Sequence, residues 1–174
     1  MSIIRAVSFF QIAPFPFQFE GQWFSIAVIL DRGELTNTNM HQIHLKAREN
    51  DSFSIMVQMP EEDCKRLYFD LCMSGKPGRF RRISGKQDNP VTVIETDYAS
   101  FAIIGVQTGS IRALHLYSRT SEASDAVKEK YLFVAKCINF PVNKLIYLTV
   151  QTDMCEPPSA FPDFGDTCKA EESE

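Results

Sequence analysis

The segment Ile111-Arg112-Ala113-Leu114-His115-Leu116-Tyr117-Ser118, followed after a short break by Ser124-Asp125-Ala126-Val127-Lys128-Glu129-Lys130-Tyr131-Leu132-Phe133-Val134-Ala135-Lys136-Cys137, decides how this chain is read. Across the break its apolar spacing changes from a period of about two to one of about 3.6. In the first part Ile111, Ala113, His115 and Tyr117 share one face and Leu114 and Leu116 the other, as in a strand covered on both sides. In the second part Val127, Tyr131 and Val134 form a single stripe behind Ser124, a residue type that caps helix N-termini. Together they predict a helix lying outside a sheet, packed on strands at 101–108 and 111–118.

Upstream the period stays near two. Phe53, Ile55, Val57 and Met59 alternate with Ser54 and Gln58, Met56 being the exception, and Leu67, Phe69 and Leu71 alternate with Tyr68 and Asp70. Further strands are expected at 22–31, 39–48, 79–84, 91–97 and 100–108, separated by turn compositions such as Asp31-Arg32-Gly33, Ser74-Gly75-Lys76-Pro77-Gly78 and Gln87-Asp88-Asn89-Pro90. Eight short strands in a row, the helix, and a last strand over Lys144–Val150 predict an all-β chain, an up-and-down antiparallel barrel or a sandwich, with one α-helix outside.

Composition narrows the function. The chain has 174 residues, 18 Lys+Arg against 22 Asp+Glu and 44% hydrophobic content, which suits one globular domain. A net charge of −4 with no basic cluster points away from nucleic acid, and no apolar run approaches the roughly 18 residues that span a bilayer. Residues 1–18 read as a Phe/Pro-rich lead, 19–155 as the domain, and 156–174 as an acidic, Pro-containing tail, expected to be mobile beyond Cys155. The opening residues lack the apolar core and cleavage site of a signal peptide, so the chain is either intracellular or a mature form. Five cysteines without a Cys-x-x-Cys or zinc-like spacing favour disulfides over a metal site, and hence a secreted protein whose leader has been removed. Asn50-Asp51-Ser52 is a glycosylation acceptor sequence that fits that compartment. The sequence calls for no cofactor and no metal.

Three local motifs make the chain resemble the lipocalin family over roughly Phe19 to Cys155: Gly21-Gln22-Trp23 at the first strand, Thr96-Asp97-Tyr98 between the sixth and seventh, and Leu116-Tyr117-Ser118-Arg119 at the end of the eighth. The resemblance implies an eight-stranded calyx, with Trp23 plugging the closed end and Arg119 stacked over it. It also implies a disulfide between Cys64 and Cys155, which leaves Cys72, Cys137 and Cys168 as an odd number. Cys137, at the helix end, reads as a buried thiol.

Parity carried inward from Trp23 places Ala27 and Ile29 (or Val28, if a bulge swaps them), Ile43, Ile55, Val57, Met59, Leu67, Phe69, Leu71, Val106 and Ala113 on the cavity wall. His115, Tyr117, Thr108 and Arg82 are the polar groups that could orient a ligand. An apolar cup with few convergent polar groups suits a fatty acid, retinoid, steroid or odorant-like molecule, carried rather than transformed. Some family members bind anionic siderophores through basic residues in the cup, but the matching positions here are Phe69, Thr108 and Ala113. The sequence is also similar to epididymal-type members and to the family's prostaglandin isomerases, whose chemistry rests on a cavity thiol in the second strand. Asn39–Arg48 contains no cysteine, and Cys72 points outward by parity, so no catalytic residue is expected. The alternatives are such an isomerase, or a filled barrel whose loops Arg32–Asn39 and Ser74–Arg79, taken as mouth loops, contact a receptor or a second copy in a homodimer.

Overall fold

Alternating apolar and polar side chains form the ladder β1 (Gly21–Leu30), β2 (Gln42–Ala47), β3 (Phe53–Met59), β4 (Lys65–Met73), β5 (Arg79–Ser84), β6 (Gln87–Thr96), β7 (Phe101–Thr108) and β8 (Ile111–Ser118). A helical turn, α1 (Pro16–Phe19), precedes β1, and α2 (Asp125–Cys137) and a two-residue β9 (Ile146–Tyr147) follow β8. The computed structural model describes residues 16–48, 51–60, 64–84, 87–150, 155–156 and 168; the Asn50 acceptor site and most of the lead and tail lie outside them.

From β2 to β8 each strand pairs antiparallel with the next, and β1 pairs with both β8 and β2. That closes the barrel and leaves it no free edge. β1 can serve two partners because it is long: Gly21–Phe24 pair with β2, and Phe24–Leu30 with β8. β9 bonds to the outside of β1 at Ala27 and Val28, a shorter contact than the expected strand over Lys144–Val150. No described helix is long and apolar enough to cross a membrane.

Several sequence expectations are corrected. Gln87-Asp88-Asn89-Pro90, read as a turn, lies in the ladder opposite Ser84, Ile83, Arg82 and Arg81. Turn-prone composition gives way there to pairing with β5, and Pro90, which has no N–H to donate, is solvent-exposed. Residues 39–41 precede β2 rather than belonging to it. Turns alternate between barrel ends, so Ser74–Gly78, joining β4 to β5, lies at the end where β1 begins with Trp23 and not at the mouth. Only the Arg32–Asn39 loop of the two is at the open end.

The outer core sits between α2 and the wall. Ser124 caps the helix, its Oγ accepting from the Val127 amide at 3.2 Å. Tyr131 and Ala135 are fully buried against Ile103, Leu114 and Leu116, with Val127 and Val134 alongside. The Tyr131 hydroxyl donates to the Leu114 carbonyl at 2.5 Å, so this ring seals apolar surface without leaving a polar atom unpaired. A register shift between Ser25 and Ala27 decides which β1 residues join that core. Ala27 and Ile29 pair with Leu116 and Leu114 and so face the helix side, while Val28 pairs with His115.

Disulfides tie the other side. Cys64 is bonded to Cys155 and Cys72 to Cys168, so the tail is anchored beyond Cys155 rather than released there. Cys137 is the free thiol and is exposed, which corrects the expectation that it is buried, because it stands with Lys136 and Ile138 off the buried stripe of Tyr131 and Ala135.

Candidate functional site: a closed-bottomed apolar cavity

The base of the barrel is assembled around Trp23, whose indole Nε1 donates to the Phe19 carbonyl at 2.9 Å. The Arg119 guanidinium lies 3.9 Å from the indole ring centroid. It donates to the carbonyls of Gln18 and Glu20 at 2.7 Å each, of Tyr98 at 3.2 Å and of Gln22 at 3.3 Å. A cation stacked on an indole and saturated with carbonyls joins three chain segments at one point. Gly21 makes room for it, since its φ is +103° and a Cβ there would meet Arg119 Nη1 at 3.2 Å.

Thr96-Asp97-Tyr98 shapes the turn beside this plug. Thr96 Oγ1 donates to the Phe101 carbonyl at 2.7 Å and accepts from the Tyr98 amide, and Asp97 accepts from the amides of Ser100 and Phe101 and from the Ser100 hydroxyl. Burial would raise the Asp97 carboxyl, but those hydrogen bonds outweigh it and hold it below its ordinary value. Phe19 packs on Tyr98 with ring centroids 4.7 Å apart, on Phe53 at 6.1 Å and on Trp23 at 6.3 Å, and Phe53 meets Phe80 at 5.6 Å. The closed end is therefore an aromatic floor.

Above the floor lies a cavity of about 140 Å³. Of the residues expected from parity, Ile43, Ile55, Val57, Phe69, Leu71, Val106 and Tyr117 line it, as does Arg82. The lining does not include Val28, Met59, Leu67, Thr108, Ala113 or His115. Val28 is buried opposite His115, Met59, Thr108 and Leu67 stand towards strand ends, with Thr108 and Leu67 solvent-exposed, and Ala113 is partly buried. Parity gave these residues a side of the wall but not a height along the barrel. His115 stacks on Tyr117, with centroids 5.6 Å apart and planes 18° from parallel, and so stands behind it.

Sequence reasoning missed Leu45, Phe53, Phe80, Val91, Val93, Ala102 and Ile104, all of which line the cavity. The signal was present: Leu45 shares parity with Ile43, Phe53 with Ile55, Phe80 with Arg82, and Ala102 and Ile104 with Val106.

The polar groups inside are few. Burial pushes His115 down to about 4, with the neighbouring His41 and Arg82 acting in the same direction, so its ring is neutral at pH 7. Burial pushes the Tyr117 hydroxyl up to about 12, so it stays protonated and can donate. Among the described residues no group of metal-ligating side chains is assembled.

Residues 20–152 match the Lipocalin / cytosolic fatty-acid binding protein family model. The chain belongs to that family. Among curated relatives, rat "Neutrophil gelatinase-associated lipocalin" is 24% identical over 79% of this chain and 76% of its own, and human "Lipocalin-15" is 23% identical over 82% and 81%. Pig "Prostaglandin-H2 D-isomerase" is 30% identical over 51% of this chain and 50% of its own. A solved structure of the siderocalin Ex-FABP superposes with a TM-score of 0.67 at 19% identity, covering 78% of this chain and 96% of that one. That likeness speaks for the fold.

Proposed function

We propose that this chain is a secreted lipocalin that binds and transports a small hydrophobic molecule in its barrel, with residues 19–155 as the carrying unit. The observation that carries the reading is the cavity itself: apolar walls over an aromatic floor, with Arg82 and Tyr117 the polar side chains among the lining residues. Apolar surface turned towards a hollow gains free energy when a ligand covers it, at roughly 25 cal/mol per Å². The two disulfides support an oxidising compartment.

An isomerase working through a cavity thiol finds no support in the cysteines. Four are paired in disulfides and the fifth, Cys137, is exposed at the end of α2. A carrier therefore suits the site better than an enzyme.

The single tryptophan, Trp23, is part of the cavity lining and reports occupancy. Native mass spectrometry of protein from its natural source should show a stoichiometric apolar adduct, and fatty acids, retinoids or steroids should alter Trp23 fluorescence saturably. An empty protein whose fluorescence responds to none of them would sink the carrier reading and favour a protein that works through its surface.

A further inference from the structure

Arg82 is out of place in this cup. It projects from β5 among apolar side chains, its guanidinium 5.1 Å from the Phe69 ring centroid, and its buried Nε has no hydrogen-bond partner. No described carboxylate forms an ion pair with it. Stacking on one ring does not replace the hydrogen bond that the buried Nε–H gives up on leaving water. Its direct cross-strand neighbour, Asn89, is 4% exposed, and the Asn89 Nδ2 likewise has no partner. The Tyr117 hydroxyl opens into the same cavity with no hydrogen-bond partner among the described residues, and the Arg82 charge is felt at both Tyr117 and His115. A cation and a phenol O–H, both donors, thus border one apolar space, with the unpartnered Asn89 amide N–H across the strand pair from the cation.

We infer that the barrel selects an amphiphile with a carboxylate head, bound by Arg82 with help from Asn89 and Tyr117, whose hydrocarbon part lies on the floor formed by Phe19, Trp23, Phe53 and Phe80. This rests on the carrier reading and names its ligand class. A carboxylate matches the planar guanidinium fork and brings the one negative charge that one arginine neutralises. A phosphate dianion would leave a second charge unpaired in apolar surroundings.

The test uses the full, disulfide-intact chain stripped of bound lipid, titrated at pH 7.5 with dodecanoic acid and with its methyl ester. The acid should bind at least tenfold more tightly, and Arg82→Met should remove most of that preference while leaving the ester's affinity within about twofold. Asn89→Asp, which places a carboxylate beside Arg82 and so fills the site from within, should weaken the acid and spare the ester. It also guards against loss of fold in the methionine variant, since the new ion pair should keep or raise the melting temperature. An ω-bromo acid should quench Trp23 more than the α-bromo isomer, because the tail lies on the floor. Equal binding of acid and ester overturns the inference and leaves the carrier reading standing. Variants that weaken both ligands alike overturn it too, as does stronger quenching by the α-bromo acid. Binding of neither ligand to folded protein overturns the inference and the carrier reading together.

Discussion

The barrel has two unlike halves. Along β1, β7 and β8 the outward residues are apolar: Ala27, Ile29, Ile103, Leu114 and Leu116 are all fully buried under α2. Along β2 and β3 the outward residues include Gln42, His44, Ser54 and Gln58, and they too are buried, although they are polar. Meanwhile Ile43, Leu45, Ile55 and Val57, which face the interior, remain partly accessible because they border the cavity. The usual relation between polarity and burial is inverted on that side.

Two different means of covering the wall explain the contrast. The helix side is closed by packing. The cavity side is tied by cross-links to Cys155, Glu156 and Cys168 beyond the barrel: the disulfides Cys64–Cys155 and Cys72–Cys168, with Gln58 Nε2 donating to the Glu156 carbonyl at 3.0 Å and Gln58 Oε1 3.1 Å from His44 Nε2. Packing a hollow wall from inside would fill the binding site, so cross-links and hydrogen bonds supply stability where close packing is excluded.

The contrast should break most visibly on the packed side. Tyr131→Ala should cost about 3–5 kcal/mol, since it empties a fully buried site and removes the hydrogen bond to the Leu114 carbonyl, and urea denaturation measures it. Removing Cys64–Cys155 as a double serine variant comes next, at about 2–4 kcal/mol for a bond closing 91 residues, and should loosen the cavity side while leaving the helix side protected in hydrogen exchange.

Acid sharpens the comparison from inside. The native His115 titrates at about 4 and the unfolded chain's imidazole near 6.5, so only the unfolded chain gains that proton between them. Its contribution is intact above pH 6.5 and is lost as pH falls towards 4, by up to about 3 kcal/mol. Burial lowers His44 as well, so that residue acts in the same direction. His115→Leu should flatten the stability profile over that window; an unchanged slope would place the acid sensitivity elsewhere.

Arg119→Met should cost about 2 kcal/mol and shift Trp23 emission, with Arg119→Lys restoring part of the stability but not the stacked geometry. The smallest effect belongs to the hollow: Ile55→Val should change stability by about 0.5–1 kcal/mol, because the lost methyl borders space that is already empty.

Strand periodicity and the helix with its Ser124 cap were legible in the sequence because each depends on residues close in the chain, whereas the Trp23–Arg119 plug, between residues far apart in the chain, was implied only by the resemblance to the family. The β5–β6 turn was misread because Gln87-Asp88-Asn89-Pro90 has the local chemistry of a turn, and only pairing with β5 overrides it. Met59, Leu67, Thr108 and Ala113 were assigned to the cavity because parity fixes which side of a sheet a residue faces. How high it stands along the barrel follows from the tilt and stagger of strands far apart in sequence.

The sequence by itself thus determined the order of elements and the apolar faces, since those are set by local backbone periodicity, and it carried the three short motifs on which the family resemblance rests. Only the tertiary structure decided the bulge that sends Ala27 and Ile29 outward, the pairing of Cys72 with Cys168, and the placing of Arg82 and Tyr117 in one cup with Asn89 across from Arg82. Each of these brings together residues that no local spacing relates, and barrel closure is what sets their distances.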